Sequence, residues 1–280
     1  MKKVLRKFVN ILNHIGLHVI TIRGWKHMQN QALKLDEMRE SQRQAAIDLE
    51  IISFMLQRNA EGSNFQIEQF LKLRNEGKAA FRQDLIALVL NNFKKEGVFI
   101  EVGACDGLAT SNTFLLEKEF GWQGLLIEPA KVWQADLISN RKAELDFRCA
   151  WKEDGITVRF AEKSSPGRSG IVETSSDLTP VRTDYEVETV TLRKIISEKK
   201  FLNKVNFLSV DTEGSEYEVL LGFPFESCRP DFICVEHNFE TDKRFRVRVF
   251  LEEQGYINFM EAFSYVDDWY VAGDKVNGIK

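Results

Sequence analysis

The sequence predicts an α/β protein: a mostly parallel sheet flanked by helices, preceded by an N-terminal helical extension. Beyond residue 80, short apolar runs alternate with segments of helical composition, the pattern of strand–helix–strand units. One run, Val98-Phe99-Ile100-Glu101-Val102-Gly103-Ala104-Cys105-Asp106-Gly107, carries an acid and breaks into a Gly-x-x-x-Gly turn. A second, Gly124-Leu125-Leu126-Ile127-Glu128-Pro129, also closes on an acid. Two parallel strands with a glycine turn after the first and a carboxylate after the second form a site for a nucleoside-bearing cofactor.

The elements follow in order. Met1 to Ile15 combines Lys2, Lys3, Arg6 and Lys7 with apolar residues at helical spacing, and Gly16 caps it. This basic helix suits either docking on the protein or peripheral contact with an anionic membrane through residues 1–16. Trp25 to about Asn59 lacks Gly and Pro and reads as a helical arm. Trp25, Met28, Ala32, Leu35, Ala46, Leu49 and Leu56 form its seam, broken by Arg39, Gln42 and Ser53. That suits a packed arm, or a homo-oligomer contact through residues 25–59, better than a long coiled coil. Phe65 to Leu73 reads as a further helix, and the boundary between a helical region (1–75) and a catalytic domain (76–280) is placed near residues 74–80.

Within the domain, helices are expected at 80–93, 110–120, 131–140, 192–199, 215–220 and 243–254. Strands are expected at 98–102, 124–128, 145–149, 156–160, 205–210 and 232–236, with a closing pair at 256–260 and 269–272. Residues 152–188 read as largely irregular, and the loop 163–170 is a candidate lid over the acceptor. Its Arg168 suggests an anionic acceptor such as a phosphate-linked sugar.

Bulk properties narrow the classes. A chain of 280 residues can bury a substantial core. A formal charge of −4 offers no electrostatic case for nucleic acid as partner. Cys105, Cys149, Cys228 and Cys234 form no C-x-x-C pair and read as buried thiols of a reducing, cytoplasmic protein. No apolar run reaches the roughly 20 residues of a membrane span.

Cys105 stands where a dinucleotide fingerprint needs its middle glycine, and no Gly-Lys-Ser/Thr follows as in a P-loop. An acid before the first glycine suits the ammonium of S-adenosylmethionine, and Glu128 suits its ribose. The run Leu208-Ser209-Val210-Asp211-Thr212-Glu213-Gly214-Ser215-Glu216 brings acids to another strand end, and Glu236-His237-Asn238 to the next. Glu216 and Glu218 suit helix N-terminal capping. Asp211, Glu213 and His237 are the candidate catalytic residues. His237 is the expected general base, oriented by Asp211 or Glu213. The alternative is a divalent metal held by Asp211, Glu213, Glu236 and His237.

These segments, with Ser111-Asn112-Thr113-Phe114-Leu115-Leu116-Glu117, Gly121-Trp122-Gln123-Gly124 and Asp267-Asp268-Trp269-Tyr270-Val271, resemble the FkbM-type family of S-adenosylmethionine-dependent methyltransferases over roughly residues 80–272. The resemblance implies a class I methyltransferase Rossmann-like fold: a seven-stranded, mostly parallel sheet whose last strand is antiparallel. It implies S-adenosylmethionine held by Glu101, Gly103, Ala104, Asp106, Gly107, Asn112, Glu128, Pro129, Ala150 and Trp151. It also implies O-methylation, often of a sugar in a glycolipid or polysaccharide, which suits a cytoplasmic protein peripheral to the inner membrane face. A Rossmann-type NAD(P) oxidoreductase and a non-catalytic cofactor-binding or assembly module are the alternatives.

Overall fold

The computed structural model describes residues 22–58, 63–199 and 204–275. The basic helix expected over 1–15 lies outside them. Among the described residues no helix is long and apolar enough to cross a membrane.

The chain divides into two units, the first ending at Ala46 and the second spanning Ile47–Lys280. Helix α1 (Ile22–Arg58) runs through that division. In the second unit its inward face is Ile47, Ile51, Phe54 and Met55, which join Phe70 of α2 (Ser63–Leu73) and the wholly buried α3 (Gln83–Leu90) in one apolar cluster. That division falls inside α1, so the end of α1 and all of α2 lie in the second unit, ahead of the boundary expected near 74–80. The expected seam is also out of phase with this packing, because Leu49 and Leu56 are exposed. Composition identifies a helix, but with apolar residues on several faces it does not say which face is covered.

Seven strands form the central sheet in the order β10-β11-β9-β8-β1-β2-β3. They are β1 (Val98–Val102), β2 (Gln123–Ile127), β3 (Glu144–Asp146), β8 (Phe207–Val210), β9 (Phe232–Glu236), β10 (Tyr256–Asn258) and β11 (Asp267–Ala272). Neighbours pair in parallel except β11, which is antiparallel to both β9 and β10. The predicted class I architecture is therefore present. Both faces are covered, as parallel sheets require. Ile100, Val102, Leu125, Ile127, Leu208, Val210, Ile233 and Val235 pack on one side, and Phe99, Leu126, Phe207, Phe232 and Cys234 on the other.

The crossover helices are α4 (Phe114–Phe120), α5 (Lys131–Asn140), α6 (Leu192–Glu198), α7 (Glu216–Leu221) and α8 (Thr241–Glu253). Gly121 ends α4 in the left-handed conformation at φ 64°, letting the Trp122 N–H donate to the Leu116 carbonyl at 3.1 Å.

Residues 152–188 are more regular than expected. A second sheet, β4-β7-β5-β6, contains β4 (Cys149–Ala150), β5 (Thr157–Lys163), β6 (Gly170–Ile171) and the ten-residue β7 (Val181–Val190). The period-two signal of β7 lies in Val181, Thr183, Tyr185, Val187 and Thr189 alternating with Arg182, Asp184, Glu186 and Glu188. Most of β7 is exposed, so its apolar content is low and the alternation is its main mark. The expected third strand is also split: Asp146 ends β3, the Arg148 N–H turns back to its carboxylate at 3.0 Å, and Cys149 begins the second sheet.

Two substitutions on α1 test the corrected face. Phe54→Ala is expected to lower unfolding stability by about 3–5 kcal/mol, as truncation of a packed aromatic does. Leu49→Ala should change it by less than about 0.5 kcal/mol. Urea midpoints of the two variants check this, and a larger loss at Leu49 would return the packing face to the expected seam.

Candidate functional site

Register places the site. Val102 is paired with Ile127 on one side and Val210 on the other, and Val210 with Val235. The four parallel strands β2, β1, β8 and β9 thus end in one row, and the next residues are Glu128, Gly103, Asp211 and Glu236. In an open parallel sheet this carboxyl edge is where ligands bind.

Gly103 makes the edge compact. Its φ is +84°, and a Cβ there would stand 1.6 Å from the carbonyl oxygen of Asp211, so no other residue fits. The Asp211 N–H donates to the Val102 carbonyl at 3.0 Å, and the Gly103 N–H to that of Ile127 at 2.9 Å. Cys105 sits at φ 48°, in the left-handed region a glycine would favour.

Glu101 points away from the ligand edge. Its buried carboxylate accepts from the Asn112 N–H at 2.8 Å, from the Ser111 hydroxyl at 3.0 Å and from the Thr113 hydroxyl. Arg141, whose side chain is fully buried, lies 3.7 Å away. Arg141 also donates to the Gly107 carbonyl at 3.0 Å, to Ser111 at 3.0 Å and to Thr113 at 2.9 Å, and pairs with Glu117 at 2.9 Å. Asp106 accepts from the Leu108 and Ala109 N–H groups, both at 2.9 Å. Asn112 donates to the Ser209 hydroxyl at 2.9 Å. These groups hold the turn and do not line the cleft.

The cleft opens to solvent along the carboxyl edge and is lined by both sheets. Of the residues expected to bind cofactor, Gly103, Glu128, Pro129 and Ala150 line it; Glu101, Ala104, Asp106, Gly107, Asn112 and Trp151 do not. Trp151 instead donates its N–H to the Val190 carbonyl at 2.9 Å and packs in the cluster around Phe160. Sequence reasoning missed Trp133, Phe160 and Ile171, which form an apolar wall, and Cys105 and Cys149 beside it. Trp133 has a sequence signal: it falls in the first turn of the helix after Glu128-Pro129. Its indole N–H is buried without a partner, a donor left for a ligand. The loop 163–170 contributes Pro166, Gly167 and Ser169, so it does wall the cleft.

Glu128 is built to receive hydroxyls. One carboxylate oxygen accepts from the Cys105 N–H at 2.9 Å and the other from the Ala130 N–H at 2.8 Å, leaving each with a lone pair. Burial pushes its pKa up to about 7, against the pull of those two bonds. An apolar wall, an orphaned indole donor and a twice-anchored carboxylate fit an adenosine.

Asp211 and Glu236 form a carboxyl pair. Solvent reaches Asp211 through the cleft it lines, while protein packs densely round its carboxyl and drives its pKa well up; the hydrogen bond from Glu236 opposes that. Burial, then the charge of Asp211, pushes Glu236 to about 12. Both carboxyls are thus pushed upward, and the hydrogen bond between them requires a proton shared by the pair. Glu213, at φ 54°, is raised to about 7 by burial, with Arg168 pulling it down. Glu216 caps its own turn, its Oε1 accepting from the N–H groups of Thr212 at 3.0 Å and Gly214 at 2.9 Å. Among the described residues the group able to hold a cation is Asp211, Glu216 and Glu236, with ligand atoms within 4.8 Å of one another. That set replaces Glu213 and His237 of the expected one by Glu216.

His237 is placed elsewhere. Its Nδ1 accepts from the Phe239 N–H at 2.9 Å, and its Nε2 lies 4.0 Å from Asp268, without a hydrogen-bond partner. Burial lowers its pKa, with Asp268 opposing. It does not line the cleft, and neither a hydrogen bond nor an ion pair joins it to Asp211 or Glu213. The physical reason is strand alternation: Glu236 and His237 leave β9 on opposite sides.

Residues 101–257 match the methyltransferase FkbM domain. Among solved structures, the chain is similar to the methyltransferase FkbM from Methylobacillus flagellatus KT, at 13% identity, over 77% of this chain and 60% of that one, with a TM-score of 0.42. It is also similar to precorrin-6y C5,15-methyltransferase from Geobacter metallireducens GS-15, at 11% identity, over 63% of this chain and 71% of that one, with a TM-score of 0.37. Among curated proteins none matches.

The raised carboxyls set a pH dependence for the free protein. Glu128 binds its proton more tightly folded (about 7) than at its ordinary value of 4.5, so its stabilising share is present below that value and lost as pH rises through about 7. Urea midpoints should fall from about pH 5 to about pH 8, and Glu128→Gln should flatten the slope. An unchanged slope in the variant would contradict the assignment.

Proposed function

The chain belongs to the FkbM methyltransferase family, and from that premise we propose that it is an S-adenosylmethionine-dependent O-methyltransferase with a sugar-bearing acceptor. The observation that carries the reading is the row of strand ends, which sets the Glu128 carboxylate and the Asp211–Glu236 pair in one line. Glu128 would hold the ribose hydroxyls, Trp133 would donate its indole N–H, and Phe160, Ile171 and Ala150 would border the adenine. Bound there, S-adenosylmethionine supplies an electrophilic methyl group on a sulfonium.

A sugar hydroxyl is a poor nucleophile until a base receives its proton. Asp211 is the group placed to do so: it opens on the cleft, its pKa is raised, and Glu236 is hydrogen-bonded behind it. Asp211 would take the proton of the acceptor hydroxyl as that oxygen receives the methyl group, the bound cofactor retaining the electron pair of the broken sulfur–carbon bond. His237, 4.0 Å from Asp268, positions the turn after β9 rather than serving as base. The close set of Asp211, Glu216 and Glu236 favours a second reading, in which a divalent cation takes the place of the shared proton. Residues 1–16 and 25–59 remain proposals of the same reading, for contact with the inner membrane face and for self-association.

Turnover is measured as S-adenosylhomocysteine released with host glycan extract, together with the added methyl in the product mass spectrum. Asp211→Asn should lower kcat by about 100-fold or more with cofactor affinity retained, and His237→Gln by less than about 10-fold. The reverse order would make His237 the base. Activity that survives exhaustive chelation would exclude the cation.

A further inference from the structure

A second pocket opens beside the cleft, and every residue lining it is polar: Arg168, Ser176, Asp177, Glu213, Asn238 and Glu240. Glu213 lines both spaces. It stands two residues beyond Asp211, and Asn238 stands two residues beyond Glu236. The inner wall of the outer pocket is thus made by the same two strand ends that carry the carboxyl pair. The loop after β5 divides the spaces: Pro166, Gly167 and Ser169 line the cleft, and Arg168 lines the outer pocket.

We propose that this outer pocket is the acceptor site, and that it takes an uncharged polyhydroxyl group and rejects phosphorylated or carboxylated ones. The assignment rests on the cleft being the methyl-donor site. The charge pattern carries the selectivity. Arg168 lies 3.7 Å from Asp177 and 3.6 Å from Glu213. Lys163 donates to Asp177 at 3.1 Å, and Lys243 lies 3.0 Å from Glu240. Among the described residues, the lining cation Arg168, and Lys163 and Lys243 that pair with lining carboxylates, each already face a carboxylate. An anionic acceptor would have to displace an internal carboxylate from Arg168 and remain among the others, so Arg168 does not mark the anionic acceptor that the sequence suggested.

Neutral hydroxyls require no such exchange. They can donate to Glu213, Asp177 and Glu240, and accept from Arg168 and the Asn238 amide. Ser176 already donates to Glu240 at 2.8 Å, and the Asn238 amide to Glu213 at 3.4 Å. Asn238 adopts φ 46°, a conformation glycine shares, so Asn238→Gly removes the amide without straining the turn.

The test uses the full chain. Calorimetry with S-adenosylhomocysteine comes first; absence of binding overturns the cofactor reading, and this assignment with it. On the loaded protein, saturation-transfer NMR then compares methyl β-glucoside with glucose 6-phosphate. The expected result is saturation of the glucoside alone, weakened about 3- to 10-fold in both Asn238→Gly and Ser176→Ala, with S-adenosylhomocysteine affinity unchanged. With S-adenosylhomocysteine bound normally, three results overturn the proposal: no glucoside binding, glucoside binding indifferent to both variants, or phosphate binding as strong as glucoside binding.

Discussion

The buried Glu101–Arg141 pair is the interaction on which the site depends. Neither side chain reaches solvent to any useful extent, and Arg141 comes from just beyond α5, so it ties the end of that helix to the turn after β1. Glu101 accepts from three successive residues, 111 to 113, and Arg141 donates to Gly107, Ser111, Thr113 and Glu117. A buried ion pair earns its place only when its remaining hydrogen-bonding capacity is met, and here it is met by the very turn that must be rigid. Removing Arg141 would leave the Glu101 carboxylate buried without a counter-charge beneath the cleft, whereas removing Glu101 would leave Arg141 paired with Glu117.

With the turn held, the sheet does the rest. Parallel register aligns four strand ends, and Gly103 lets the chain of β1 pass against the Asp211 carbonyl. The result is a short edge crowded with acids. Glu128, Asp211, Glu213 and Glu236 are all pushed upward in pKa by burial. Such crowding opposes folding and would not persist in a purely structural surface, whereas perturbed carboxyls gathered in a cleft suit proton transfer and hydroxyl recognition.

Much of this was legible in the residues. Strongly apolar runs locate the parallel strands, and Glu128 and Asp211 are recognisable because an acid directly follows each run. Side-chain direction was less legible. Glu101 has the right spacing for a cofactor contact, yet it lies inside a strand and faces the helix side, where Ser111 and Thr113 wait. His237 follows Glu236 by one residue, and that single step turns it away from the cleft. Trp133 is marked by its place in the first turn after Glu128-Pro129, but Phe160 and Ile171 reach the cleft only through tertiary packing of the second sheet, which no local motif announces. β7 carried a period-two alternation, but its exposed charges masked it among loop residues.

Adenosine is expected in the cleft between Glu128 and the wall formed by Trp133 and Phe160. A crystal structure of the full chain with S-adenosylhomocysteine tests it most directly. Both ribose hydroxyls should sit on Glu128, with the Trp133 indole N–H on the ligand and the sulfur on the side of Asp211. A nucleoside seated against Glu101, with Glu128 untouched, would contradict it.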